Sequence, residues 1–110
     1  MAYIKLLVLL LKVSFKGMKR VRVIISGRVQ GVGFRYFVQE KAFYFGIKGY
    51  VKNLPGENVE IDAEGDEKQL DAFLAACRKG PLHACVDGFI IQKIPVYGYT
   101  RFRIRHCSDF

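Results

Sequence analysis

Apolar positions recur at two different periods along the chain, two residues and about 3.6 residues, and each switch between them marks an element. Val21, Val23 and Ile25 alternate with Arg22, Ile24 and Ser26, which predicts a first strand. Phe34, Phe37, Val38, Lys41, Ala42 and Phe45 then fall on one helical face, with the Lys41 ammonium reaching water at its margin. Gly46 is placed to end that helix. Ile47 to Asn53 predicts a second strand, turned back by Leu54-Pro55-Gly56. Val59 to Glu64 is a period-two strand whose acids, Glu60, Asp62 and Glu64, share one face. That face is expected to be solvated, with ion pairs to Arg22 or to the second strand's lysines. Asp66 is expected to cap a second helix, Gln69 completing a capping box. Leu70, Phe73, Leu74 and Cys77 line that helix's buried side, and Gly80-Pro81 stops it. Val86 to Ile94 and Tyr99 to Arg105 predict two last strands.

The order is strand, helix, strand, strand, helix, strand, with one strand more at the end. With one side of the sheet acidic and open, both helices belong on the other side. The prediction is an α+β fold: an antiparallel sheet with two helices on one face. At 110 residues, 51% of them hydrophobic, the chain forms one domain with a modest core. Residues 18–110 carry the whole pattern.

Met1–Gly17 stands apart as an apolar N-terminal extension. Leu6 to Leu11 is a hydrophobic run between Lys5 and Lys12, too short to span a bilayer and followed by no small-x-small cleavage site. It reads as an upstream start or appended segment that takes no part in the work of the domain, as an added edge strand or oligomer contact, or as a targeting segment. The reading expects no stable membrane insertion and a monomer, with an oligomer through the extension as the other outcome.

Charge changes the picture more than composition does. The net charge of +8 would steer a small anion toward the protein, but no dense basic block marks a nucleic-acid or membrane surface. Cys77, Cys85 and Cys107 make an odd count without a disulfide framework, which points to a reducing cytoplasm. A Cys77–Cys85 bridge across the helix-to-strand turn is conceivable. No Cys/His cluster has zinc spacing, so neither a metal nor a cofactor is expected.

The chemistry concentrates in Gly27-Arg28-Val29-Gln30-Gly31-Val32-Gly33-Phe34-Arg35. A glycine-spaced turn between a strand and a helix exposes backbone N–H groups, and the helix adds its positive N-terminal end. Arg35, in the first helical turn, can fork two N–H groups onto phosphate oxygens. The stretch is neither a Walker A loop nor a dinucleotide fingerprint. By spacing alone it reads as a phosphoryl cradle or as a plain strand-to-helix turn.

This nonapeptide, together with Gly49-Tyr50-Val51-Lys52-Asn53, resembles the signatures of the acylphosphatase family, and the likeness runs from about Lys19 to His106. The resemblance implies a ferredoxin-like βαββαβ plait and a small single-domain enzyme. It implies hydrolysis of the carboxyl-phosphate bond of an acyl phosphate to carboxylate and inorganic phosphate, the latter also a competitive inhibitor. Carried onto this sequence, Arg35 and the backbone amides of Arg28, Val29, Gln30, Gly31 and Val32 hold the phosphoryl group, and Asn53 orients the attacking water. On the residues alone, Asn53 is equally a turn residue before Leu54-Pro55. Tyr50 and Lys52 stand where tryptophan and arginine are more usual in the family, a change of packing rather than chemistry.

Two other functions fit parts of the pattern. Tyr97, Tyr99, Phe102 and the arginines at 101, 103 and 105 would suit a nucleic-acid-binding plait, but the aromatic strand typical of RNA-recognition modules is missing, and no nucleic acid is expected as partner. A domain resembling those of hydrogenase-maturation proteins, acting on carbamoyl phosphate, would belong to a longer chain with zinc-finger cysteines. His83 and His106 read as surface or packing residues.

Overall fold

A computed structural model describes residues 17–106. The extension's apolar run and Cys107 lie outside the described residues. The elements are β1 (Met18–Arg28), α1 (Phe34–Phe45), β2 (Lys48–Asn53), β3 (Val59–Asp66), α2 (Glu67–Lys79), β4 (Cys85–Ile94) and β5 (Phe102–Arg105). They form a five-stranded sheet in the order β4-β1-β3-β2-β5. This is the ferredoxin-like plait, with the long crossovers carried by the two helices.

One face of the sheet builds the core. Val21, Val23 and Ile25 of β1, Val51 of β2 and Val59, Ile61 and Ala63 of β3 are all buried, because alternate residues of a strand share a face. Against them pack Phe34, Val38 and Ala42 of α1 and Leu70, Phe73, Leu74 and Cys77 of α2. The helix faces match those read from the sequence. Gly46 ends α1 in the left-handed conformation, its N–H bonded to the last-turn carbonyls. At such burial each large apolar side chain contributes about 1.5–3 kcal/mol.

The sheet is antiparallel across its first four strands and departs from that expectation at one edge, where β5 runs parallel to β2. The reason is geometric. The chain leaves β4 beside the start of β1, where Arg20 pairs with Ile94. It crosses that end of the sheet and enters β5 beside the start of β2, where Gly49 pairs with Phe102. Two neighbouring strands that begin at the same end run the same way.

Three other expectations are corrected. The acidic face is not solvated: Glu60, Asp62 and Glu64 are 4%, 4% and 1% exposed. Arg20 makes a fork to Asp62, Nε at 2.8 Å and Nη2 at 2.6 Å, and Arg22 donates to Glu60 from the same two nitrogens. The Tyr50 hydroxyl also donates to Glu60, at 2.6 Å, and the Lys52 ammonium lies 3.9 Å from it. Glu64 accepts from the backbone N–H groups of Tyr97, Gly98 and Tyr99 in the β4–β5 crossover, which lies across it as a lid. Buried carboxylates persist because each is paired or fully hydrogen-bonded.

The last strand begins at Phe102 rather than Tyr99, since the Tyr99 N–H is spent on Glu64 and cannot join a ladder. Asp66 does occupy the N-cap position of α2, but its side chain makes no cap hydrogen bond, so the capping box with Gln69 is not formed. The Glu67 N–H instead donates to the carbonyl of Gly17 at 3.0 Å. β2 starts one residue later, at Lys48, and β4 one earlier, at Cys85, while β1 runs from Met18 to Arg28, past its alternating stretch at both ends, and β3 continues two residues past Glu64. Cys77 and Cys85 carry free thiols, the first buried and the second exposed, so the conceivable bridge is absent.

Candidate active site

The loop between β1 and α1 is held down by its apolar residues. Val29 is buried to 1% exposure and Val32 packs at the edge of the core. With those side chains directed inward, the backbone of Gly31, between them, and of Gly33, after them, is left at the surface. Gly31 and Gly33 have φ of 72° and 74°, left-handed values that other residues adopt at a cost. Gly33 is the N-cap of α1; no side chain caps the helix and its first turn holds no acid. The Phe37 N–H closes the first turn on the Gly33 carbonyl at 3.0 Å. The N–H groups before it have no partner within the helix and present partial positive charge to an anion.

A hollow of about 170 Å³ opens beside this helix end, lined by Val29, Gly31, Gly33, Phe34, Arg35, Tyr36 and Asn53. Arg35 and Asn53, distant in sequence, therefore share one cavity. Asn53 reaches it because it is the last residue of β2, half-buried opposite Val59 of β3. Arg35 is half-buried in the first turn of α1, and its Nη1 lies 3.5 Å from Nδ1 of His106, just past β5. The histidine set aside on sequence grounds thus stands at the margin of the site.

The five loop residues assigned to phosphate binding divide. Val29 and Gly31 line this cavity. Arg28 and Gln30 line a neighbouring, larger hollow of about 550 Å³ with Gly56, Glu57, Asn58 and Asp87, and Val29 borders both. Val32 lines neither. Gly33, Phe34 and Tyr36 join the cavity without having been singled out for it, although Gly33 and Phe34 lie within the nonapeptide.

Gln30 has a part that sequence reading missed. Its side-chain amide donates to the carbonyls of Leu54 at 2.9 Å and Asn58 at 2.8 Å. The cradle is thereby fastened to the turn that follows Asn53. A glutamine inside a glycine-rich loop carries no signal of where its side chain goes; only the pairing of β1 with β3 brings the two loops side by side. Among the described residues no cluster of three or more His, Cys, Asp or Glu could hold a metal ion. Nor is any helix long and apolar enough to cross a membrane.

The family model for acylphosphatase matches residues 21–104, a span that includes Arg35, Asn53 and the whole loop. The chain belongs to the acylphosphatase family. The acylphosphatase of Archaeoglobus fulgidus is 48% identical over 84 residues, which is 76% of this chain and 94% of that protein. Among solved structures, the acylphosphatase of Bacillus subtilis is 41% identical with a TM-score of 0.77, covering 79% of this chain and 98% of that one. The HypF of T. kodakarensis is 40% identical with a TM-score of 0.70, covering 83% of this chain but only 12% of that protein. The small acylphosphatases thus match this chain nearly end to end over their own length, and by that relationship it is an acylphosphatase enzyme.

Proposed function

We propose that this chain hydrolyses acyl phosphates by in-line attack of a water oriented by Asn53 on a phosphoryl group held by Arg35 and the loop amides of residues 28–32. The observation that carries the proposal is the shared cavity: Arg35, Asn53 and the glycine backbone line one hollow of about 170 Å³ at a helix N-terminus. The Arg35 guanidinium forks onto two phosphoryl oxygens, and the loop amides with the start of α1 offset the remaining negative charge. Water oxygen bonds to phosphorus as the phosphorus–oxygen bond to the acyl group breaks, and the electron pair leaves with the carboxylate. That leaving group is the conjugate base of an acid with pKa around 4, so it departs without a proton donor. The proton of the attacking water passes to a phosphoryl oxygen of the substrate, because Asn53 is neither acid nor base near neutrality. What the protein contributes is position and preorganised charge.

Inorganic phosphate, the product, fits the same cradle and acts as a competitive inhibitor. A cytoplasmic monomer accords with this reading, given the free thiols of Cys77 and Cys85. The test is hydrolysis of benzoyl phosphate by purified protein. Turnover with competitive inhibition by phosphate, unchanged after dialysis against a chelator, supports the mechanism. Activity lost to the chelator and restored by magnesium or zinc contradicts it.

A further inference from the structure

Away from the catalytic cavity, the corner of the sheet between β5 and the β4–β5 crossover forms a second hollow. It is a cleft of about 210 Å³ whose lining includes Tyr97, Tyr99, Arg101, Arg103 and Arg105. No residue lines both this cleft and the catalytic cavity. Its three arginines have no carboxylate partner among the described residues, whereas Arg20 and Arg22 on the same face are each paired. Three like charges around one concavity repel one another, and an anion relieves that repulsion.

We propose that this corner binds single-stranded nucleic acid, with the arginines on successive phosphates and the Tyr97 ring stacked on a base. Arg103 and Arg105 project from one face of a strand about 6.6 Å apart, a spacing on the scale of the phosphate repeat in an extended single strand. The Arg105 guanidinium lies 4.2 Å over the Tyr50 ring, which fixes its plane and leaves its N–H edge for oxygen acceptors. Tyr97 is 70% exposed and leans on Tyr99 at 4.6 Å between centroids, a ready stacking platform. A basic groove beside exposed aromatic rings is the arrangement that holds single strands without reading sequence.

Along the chain these arginines alternate with Phe102 and Ile104, so the sequence shows no basic block. Extended pairing separates the two sets. Phe102 and Ile104 pack against the core, Phe102 beside Phe73 at 6.1 Å, while Arg103 and Arg105 lie on the other side; Arg101, in the bend before β5, borders both this cleft and the hollow that Phe102 shares with α1. Phe102 is therefore removed from the nucleic-acid surface that the sequence suggested, and the arginines with Tyr97 are kept.

The experiment is fluorescence anisotropy of a labelled oligouridylate of about ten nucleotides, run without inorganic phosphate on the wild type and on Arg35→Gln, whose equal affinities would show that the catalytic cradle does not carry the binding. Three phosphate contacts predict a log–log salt slope near −2, so affinity should fall about 20-fold between about 50 and about 200 mM salt. Arg101→Ser with Arg103→Ser should abolish most binding and flatten the slope. Tyr97→Ala should weaken binding about tenfold while leaving the slope unchanged. The Arg101, Arg103 and Tyr97 variants should hydrolyse benzoyl phosphate at the wild-type rate, which certifies their fold. Lys68→Glu on α2, a control for net charge, should bind like wild type. The proposal is overturned if the oligonucleotide does not bind at low salt, or if the control loses as much affinity as the Arg101 and Arg103 variants. It is equally overturned if a duplex or anionic phosphatidylserine vesicles bind as tightly as the single strand.

Discussion

Gln30 donates a side-chain hydrogen bond to the carbonyl of Asn58 at 2.8 Å, and so ties the β1–α1 loop to the far side of the β2–β3 turn. Its second bond, to Leu54 at 2.9 Å, lands on the residue next to Asn53. Gln30 is a positioning residue by this geometry. Gln30→Ala should lose about 1–3 kcal/mol of stability and weaken phosphate binding, because the loop and the Asn53 turn are no longer held in register. Gln30→Glu should be worse, since an acceptor would then face two carbonyls. Urea unfolding and phosphate titration check both. Wild-type phosphate affinity in a destabilised Gln30→Ala would confine the residue to folding.

Glu64 anchors the crossover. Its carboxylate is buried and accepts from three consecutive backbone N–H groups, Tyr97 to Tyr99. Glu64→Ala leaves those donors without an acceptor in a segment that is otherwise tied by Arg20, which donates to the Pro95 carbonyl and lies over the Tyr97 and Tyr99 rings. The expected loss is about 2–4 kcal/mol, with amide exchange at residues 97–99 accelerating before that of β1 and β3. Uniform acceleration across the sheet would contradict the local anchoring.

Alkaline pH should weaken the fold. Burial pushes the Cys77 thiol well above its ordinary range, and burial with the hydrogen bond to Glu60 does the same to the Tyr50 hydroxyl. Both groups bind their proton more tightly when folded. Their contribution is therefore complete below the unfolded values, about 8.5 for cysteine and about 10 for tyrosine, and is lost as pH rises beyond them. Unfolding free energy should decline from about pH 9 upward, and Tyr50→Phe with Cys77→Ala should shallow that decline. Unchanged alkaline slopes in the double variant would assign the effect elsewhere.

Most of the plait was legible because its helices and central strands are strongly patterned. Leu70, Phe73, Leu74 and Cys77 define one face by spacing, and so do Val21, Val23 and Ile25. What was not legible depends on contacts between distant segments. The acids of β3 looked solvated because a period-two pattern cannot reveal that Arg20, Arg22 and Tyr50 will cover Glu60 and Asp62, or that a crossover will lie over Glu64. The start of β5 was misplaced for the same reason, the Tyr99 N–H being claimed by a residue on another strand. In the candidate site, Arg35 and Asn53 were singled out by their motifs, and the assembled fold brings both to one cavity. Gln30's anchoring bonds and the approach of His106 to Arg35 arise only from the assembled sheet.

The extension offers a boundary test. The Gly17 carbonyl accepts from the first N–H of α2, so removing residues 1–16 should preserve that bond, and removing Gly17 as well should lose it. The second truncation should be less stable than the first by about 0.5–1.5 kcal/mol, with kcat equal in both. A tenfold lower kcat in either truncation would contradict the separation of extension from site.

The central claim, that Arg35 holds the phosphoryl group while Asn53 orients the water, is tested most directly by one comparison in Asn53→Ala: phosphate affinity against kcat for benzoyl phosphate, with folding checked by circular dichroism. Removing one preorganised polar contact at a developing charge costs on the order of 10²–10³ in rate, so kcat should fall by that factor while phosphate binds nearly as it does to wild type. Arg35→Gln, measured alongside, should lose both. A folded Asn53→Ala enzyme with wild-type kcat, or one whose phosphate affinity collapses together with its rate, would contradict the account.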